Sequence, residues 1–126
     1  ELCDSRTFCR LADVKMMKAN GLGLGGTPGE NAVVFDGDKI LCPGGLRHSD
    51  EPVRHKMLDA LGDLALAGAP IIGRYTGVRA GHSLTNTLLR KTFATPGAIR
   101  MVVCDAGMAQ KLPGYGLVWD EIPQVA

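Results

Sequence analysis

The 126-residue sequence is poor in aromatic side chains, which make up 5% of it, and it carries almost no net charge. Its 14 Lys and Arg residues nearly balance its 13 Asp and Glu residues, so the whole chain has no electrostatic reason to bind nucleic acid or an anionic membrane. A long apolar run is also missing. The longest mostly apolar stretch, 64–73, is interrupted by Pro70 and falls well short of the roughly 20 residues that span a bilayer. We therefore expect no transmembrane segment and no nucleic-acid partner.

The remaining composition is typical of a globular protein. Hydrophobic residues are 45% and charged residues 21% of the chain, and the length predicts one small domain. The chain begins with Glu1 and shows no export signal, so we expect it to be a piece of a longer polypeptide. Its four cysteines have no CxxC spacing. Two disulfides are possible, but without an export signal we favour reduced, structural thiols and a cytoplasmic protein.

Residue patterns predict helices and strands joined by loops rich in glycine and proline. Helices are expected over 13–20, 51–67 and 83–94, and strands over 31–35, 39–42, 71–78 and 99–104. The first helix could begin as early as Phe8, and the tail from Asp105 is expected to be irregular, with Trp119 as its anchor. The helix at 51–67 has the clearest start, because Asp50 is a cap candidate and Pro52 suits the first turn.

The glycine-rich segment 21–29 has the composition of a phosphate-binding loop but not its context. It lacks the GxxxxGK[ST] pattern, and a helix precedes it while a strand follows, the reverse of the order in a nucleotide-binding fold. We therefore interpret it as a tight connection. His48 is interpreted as a loop residue.

The helix at 51–67 carries a candidate half of a metal site. His55 and Asp59 are four residues apart, so both side chains can reach one point in space. Imidazole nitrogen and carboxylate oxygen are both zinc ligands. Asp63 lies one turn further along the same polar face, opposite an apolar stripe. The pattern also fits an ordinary solvated helix face, and a third protein ligand must come from elsewhere.

His82 lies where a predicted strand gives way to a helix, in Gly81-His82-Ser83. Its ring could face a cleft there and transfer protons, with Asp63 accepting a hydrogen bond from one ring nitrogen while the other stays free. The alternative is a residue at the helix start with no chemical role.

Five blocks occur in a fixed order along the chain: 5–8 (SRTF), 21–26 (GLGLGG), 45–47 (GLR), 53–64 (VRHKMLDALGDL) and 81–86 (GHSLTN). Together they resemble the C-terminal part of the UDP-3-O-acyl-N-acetylglucosamine deacetylase family, zinc amidases that commit Gram-negative bacteria to lipid A synthesis. The resemblance runs from about residue 5 to residue 90, and the block at 53–64 is the most specific.

The resemblance implies an α+β fold: a two-layer α/β sandwich with helices on one face of a sheet and an inserted β-α-β unit, incomplete in this chain. Residues 1–126 would form a C-terminal domain fragment. The inserted unit would occupy about 5–42, and a helix-strand-helix-strand region would occupy 49–104.

Roles for single residues are implied as well. His55 and Asp59 match the family's two zinc ligands on this helix. His82 matches the general acid that protonates the leaving nitrogen, and Asp63 matches the carboxylate that orients it. Thr7 matches the threonine whose hydroxyl stabilises the oxyanion. The implied substrate contacts are Phe8 beside the sugar, Lys56 at the polar end, and Leu11, Leu24 and Val34 along a passage for the acyl chain.

The implied activity is zinc-dependent removal of the N-acetyl group from a nucleotide-linked acylated amino sugar. In the family a histidine and a glutamate of the N-terminal domain supply the third zinc ligand and the general base. This chain has no such domain, so the N-terminal half of the same protein is its expected partner. The loop 27–30 is about one residue longer than the family's usual pattern.

Two alternatives stay open. The chain could be a non-catalytic fragment that self-associates through an exposed apolar face, or part of a zinc amidase that acts on a different acyl sugar.

Overall fold

The computed structural model describes residues 2–113, 115 and 116. The chain divides into two compact units, residues 1–91 and 92–126. In chain order its elements are β1 (Thr7–Arg10), α1 (Leu11–Ala19), β2 (Ala32–Asp36), β3 (Lys39–Ile40), α2 (Glu51–Ala65), α3 (His82–Ala94) and α4 (Ala106–Ala109). Helices and a small mixed sheet confirm the predicted α+β class.

A three-stranded sheet in the order β1-β2-β3 organises the first unit. β1 and β2 run parallel, with Thr7 opposite Ala32 and Arg10 opposite Phe35, and α1 connects them. The β-α-β unit implied by the resemblance is therefore present. β2 and β3 form an antiparallel hairpin whose tight turn places Gly37 at a φ of 57°, a conformation that glycine adopts without steric cost.

The first helix begins at Leu11 and not near Phe8, because Thr7–Arg10 bonds to β2 as a strand. It ends with glycine in the left-handed region: Gly21 has a φ of 67°. The N–H of Gly21 donates to the carbonyl of Lys18, and that of Leu22 to the carbonyl of Met17. These two bonds satisfy carbonyls that a helix end leaves open. The glycine-rich segment is thus confirmed as a connection between helix and strand.

Helix α2 starts where the sequence predicted, with Pro52 in its first turn. Asp50 occupies the cap position, but its side chain makes no cap bond and accepts from Arg54 Nε at 2.7 Å instead. The helix ends at Ala65, two residues before the predicted end. Gly68 follows with a φ of 79°.

The strands predicted over 71–78 and 99–104 are not formed in the described structure. A segment becomes a β-strand only when a neighbouring strand supplies its hydrogen bonds. Every strand of the described sheet ends before residue 41, so neither segment has such a neighbour there. Ile71 and Ile72 are 53% and 55% exposed as a result.

The buried apolar core is small and centres on β2. It consists of Ala32, Val33, Val34, Cys42 and Leu89. The Cys42 thiol accepts from the Val34 N–H and donates to the Ala32 carbonyl, both at 3.4 Å. Among the described residues, four polar ones are also buried: Ser5, Arg6, Glu51 and Thr85. Two of them, Arg6 and Glu51, form an ion pair that joins the segment before β1 to the start of α2.

In the second unit, the tail expected to be irregular contains the short helix α4. The Asp105 carboxylate accepts from the Met108 N–H at 2.8 Å and caps this helix. Trp119 lies outside the described residues.

The cysteines are free thiols, as predicted, although Cys3 and Cys104 are exposed. Across the described part of the chain, no helix has the length and hydropathy needed to cross a membrane.

Candidate active site

His55 and Asp59 converge one turn apart on α2. Nε2 of His55 lies 3.3 Å from Oδ1 of Asp59, and each side chain is 17% exposed. Two ligands that bind one tetrahedral zinc ion at about 2.0–2.2 Å lie about 3.4 Å from each other. The side chains predicted as a metal pair therefore have the spacing that a shared cation requires.

The other ring nitrogen of His55 is held by the backbone. Its Nδ1 lies 2.9 Å from the carbonyl oxygen of Ser5. Because a carbonyl only accepts, Nδ1 carries the hydrogen, and in the neutral form of the ring Nε2 presents a lone pair toward Asp59. Metal-binding histidines are held in this way by a partner on the second nitrogen. Two acceptors facing each other are chemically suited to a cation.

His82, the first residue of α3, faces the same carboxylate. Its Nδ1 lies 2.8 Å from Oδ1 of Asp63, and its Nε2 lies 4.0 Å from Oδ1 of Asp59. The His82 side chain is 73% exposed. The contact between His82 and Asp63 predicted from the sequence is present, while the roles of both residues stay predictions.

Two substrate-contact candidates lie beside this cluster. The rings of Phe8 and His55 pack edge to face, with ring centres 6.4 Å apart and an angle of 82° between the planes. Phe8 makes the same kind of contact with Phe35. Lys56 Nζ donates to Oδ2 of Asp59 at 3.3 Å. Asp59 therefore meets a cationic side chain on one oxygen and the two imidazoles on the other.

Thr7 and His55 line one open cavity of about 560 Å3. Its other walls come from residues 3–6, Gly23, Gly25, Gly26, Glu30, Asn31 and Arg47. Leu11, Leu24 and Val34 are not among the described residues that line it. Leu11 and Leu24 are exposed, whereas Val34 is buried in the core. Their assignment to an acyl passage stays a prediction.

Sequence reasoning missed the ion pair between Arg6, which lines this cavity, and Glu51, which does not. The two residues are 45 positions apart and are 6% and 0% exposed. Arg6 Nε donates to Oε1 of Glu51 at 2.7 Å, and Nη2 donates to Oε2 at 2.8 Å. The guanidinium lowers the pKa of the Glu51 carboxyl from 4.5 to about 2, and the N–H of Arg47 adds to the effect. Glu51 reads in the sequence only as an acidic first-turn residue, so no spacing rule connects it to Arg6.

Within residues 2–113, 115 and 116, no group of three or more His, Cys, Asp or Glu side chains is arranged to hold a metal ion. His48 bonds to Asp4 through Nε2 at 2.9 Å and lies in a loop, as predicted. The metal candidate in the described chain is thus a pair of ligands.

Fold and site together define an α+β protein in which two helices bring a histidine–carboxylate pair and a second histidine to one place. The family model for UDP-3-O-acyl N-acetylglycosamine deacetylase matches residues 1–94, and the chain belongs to this family.

Curated proteins named UDP-3-O-acyl-N-acetylglucosamine deacetylase are similar to this chain. Identity is 56% over 101 residues with the protein of Phenylobacterium zucineum (strain HLK1), 47% over 115 residues with that of Anaeromyxobacter sp. (strain Fw109-5) and 43% over 117 residues with that of Pseudoalteromonas translucida (strain TAC 125). These matches cover 80%, 90% and 93% of this chain but 34%, 38% and 38% of the relatives. The chain spans little more than a third of their length. The family that the sequence resembled is therefore confirmed.

Proposed function

We propose that this chain supplies part of the active site of a zinc-dependent deacetylase that hydrolyses the N-acetyl amide of UDP-3-O-acyl-N-acetylglucosamine in lipid A biosynthesis. The observation that carries the proposal is the convergence of two histidines on Asp59. Nε2 of His55 lies 3.3 Å, and Nε2 of His82 lies 4.0 Å, from Oδ1 of Asp59. Family membership and the names of the relatives support the substrate.

The donor set fits zinc. His55 and Asp59 would hold the ion, because imidazole nitrogen and carboxylate oxygen are ordinary zinc ligands and their separation of 3.3 Å suits a shared cation. When bound, zinc acidifies a water molecule and polarises the amide carbonyl. A catalytic site uses three protein ligands, and two are present here. The third ligand and the general base would come from the N-terminal half of the same protein.

His82 is assigned as the general acid. Amide hydrolysis adds water to the carbonyl carbon and breaks the carbon–nitrogen bond, and the departing nitrogen must gain a proton because an amide anion is a poor leaving group. Asp63 engages Nδ1 of His82 and so turns Nε2 toward the metal pair. With 73% of its side chain exposed, His82 is open to a substrate entering from solvent.

The remaining residues would bind and orient the substrate. The Thr7 hydroxyl, exposed in the cavity that His55 also lines, would donate to the oxygen that gains negative charge. Phe8 would pack beside the sugar and Lys56 would hold the polar end. The β-α-β unit would carry the acyl chain along Leu11, Leu24 and Val34.

One observation favours the second candidate for the isolated chain, a non-catalytic fragment. Its described residues contain no group of three metal-ligating side chains. We therefore expect the 126-residue chain alone to bind zinc weakly and to lack deacetylase activity.

The experiment compares the isolated chain with the polypeptide that contains this chain and its N-terminal half. Zinc content and deacetylation of UDP-3-O-acyl-N-acetylglucosamine are measured for both. We expect zinc and chelator-sensitive activity in the longer protein, and loss of both in its His55→Ala and Asp59→Ala variants. Asp13→Asn, which alters an exposed ion pair on α1, is the control. Full activity of His55→Ala would contradict the proposal, and tight stoichiometric zinc in the isolated chain would contradict the fragment interpretation.

A further inference from the structure

One peptide group links a buried ion pair to the candidate metal ligand. The carbonyl of Ser5 accepts from Nδ1 of His55 at 2.9 Å, and the N–H of Arg6 donates to Oε1 of Glu51 at 2.9 Å. That carbonyl and that N–H belong to the same planar peptide unit, so they cannot rotate independently. Glu51 and His55 lie one turn apart on α2. Two side chains of α2 therefore bond to this peptide, one to its carbonyl and one to its N–H.

The Glu51 carboxylate that accepts from this peptide is itself held by several hydrogen bonds. Both oxygens of its carboxylate accept from the Arg6 guanidinium, and Oε2 also accepts from the Arg47 N–H at 2.8 Å. Arg6 also donates from Nη1 to the carbonyl of Gly29 at 3.0 Å and from Nη2 to the carbonyl of Gly45 at 2.8 Å. Four chain segments thus meet at one buried pair, and charge-assisted bonds of this type are the strong ones.

We propose that the Arg6–Glu51 pair positions His55 for metal binding by fixing the peptide between Ser5 and Arg6. The inference rests on the proposed function, because it takes His55 to be a zinc ligand. Glu51 sets the orientation of this peptide, the Ser5 carbonyl holds Nδ1–H of His55, and Nε2 is thereby left facing Asp59. Arg6 and Glu51 belong neither to the proposed ligand pair nor to the proposed substrate contacts, so they act as positioning residues.

A purely structural role for the pair predicts a different outcome. In that case its loss lowers the free energy of unfolding but leaves folded molecules with an unchanged metal affinity. A positioning role predicts weaker zinc binding in molecules that are still folded. Partners that orient a metal-ligating histidine typically change metal affinity by about 10–100-fold.

The test uses the polypeptide that contains this chain and its N-terminal half. Zinc affinity of Glu51→Gln is measured by chelator competition, at a temperature where circular dichroism shows the variant folded. Asp13→Asn is the matched control, because it makes the same carboxylate-to-amide change in the exposed pair with Arg10. We expect about 10–100-fold weaker zinc binding in Glu51→Gln and less than about 2-fold change in the control. A folded Glu51→Gln protein with the affinity of the unaltered protein overturns the inference.

A second measurement needs no variant and no metal. Nitrogen-15 NMR of the metal-free protein reports which nitrogen of the neutral His55 ring carries hydrogen. We expect the Nδ1–H form, because the Ser5 carbonyl can only accept. The Nε2–H form overturns the inference even if Glu51→Gln does not fold. Zinc binding that does not depend on His55 would instead defeat the proposed function, so the two failures are distinguishable.

Discussion

Nδ1 of His82 lies 2.8 Å from Oδ1 of Asp63, 19 residues earlier in the chain. This bond joins the first residue of α3 to the last turns of α2, and it brings Nε2 of His82 to 4.0 Å from Asp59. This hydrogen bond therefore connects helices α2 and α3 at the candidate site.

Replacing His82 with Ala in the polypeptide that includes the N-terminal half should lower kcat by about 10²–10⁴-fold, the usual contribution of a positioned acid. Zinc content should not change, because His55 and Asp59 remain. Steady-state kinetics and metal analysis on the same sample check this. Unchanged turnover in zinc-loaded His82→Ala protein would exclude the acid role.

Asp63→Asn should lower kcat by about 10–100-fold, a smaller effect than His82→Ala, because the acid remains but loses the carboxylate that orients it. The change in kcat should exceed the change in KM, since Asp63 contacts His82 and is not assigned to the substrate. Kinetics of the single and double variants test the link. Independent, multiplicative losses in the double variant would refute the claim that Asp63 acts through His82.

Lowering the pH should reduce the free energy of unfolding by protonating Glu51. The pKa of its carboxyl is about 2 in the folded chain against an ordinary 4.5, so folding favours the ionised form. The stabilisation is complete above about pH 4.5 and is lost as the pH falls toward about 2. Glu51→Gln should cost about 3–5 kcal/mol near neutral pH, because it leaves Arg6 buried without a counter-ion.

Urea unfolding at several pH values checks this. The difference between Glu51→Gln and the unaltered protein should shrink between about pH 4.5 and about pH 2. A constant difference across that range would show that the charge of Glu51 does not stabilise the fold.

The isolated chain should self-associate through an apolar stripe on α2. Val53, Met57 and Leu61 follow at intervals of four residues and are 60%, 52% and 60% exposed. Stripes of this kind in soluble proteins mark surfaces that another chain covers. Light scattering of the 126-residue chain should show mass rising with concentration, and Met57→Glu should reduce it. Lys15→Glu on α1 is the control, since Lys15 is exposed outside the stripe. A monomer at every concentration would contradict the prediction.

Much of the local structure around the site was predictable. The i, i+4 spacing on a helix is fixed geometry, so His55 and Asp59 had to lie on one face once 51–65 was helical. The contact between His82 and Asp63 was expected from the family resemblance and from the position of His82 just before a helix predicted over 83–94, although the helix in fact begins at His82 itself. The strand predictions for 71–78 and 99–104 were wrong, because a residue pattern does not show whether a partner strand is present.

The β-α-β order was expected only from the family resemblance, and residues 7–10 were not predicted as a strand. Residue patterns predicted the short-range features: the start of α2, the glycine that ends α1, and the polar face that carries His55 and Asp59. These follow from backbone geometry over a few residues. The bond between the Ser5 carbonyl and His55, and the buried pair of Arg6 and Glu51, became visible only in the folded chain. Contacts between residues 45 or 50 positions apart depend on how the whole chain packs, and no local periodicity encodes that packing.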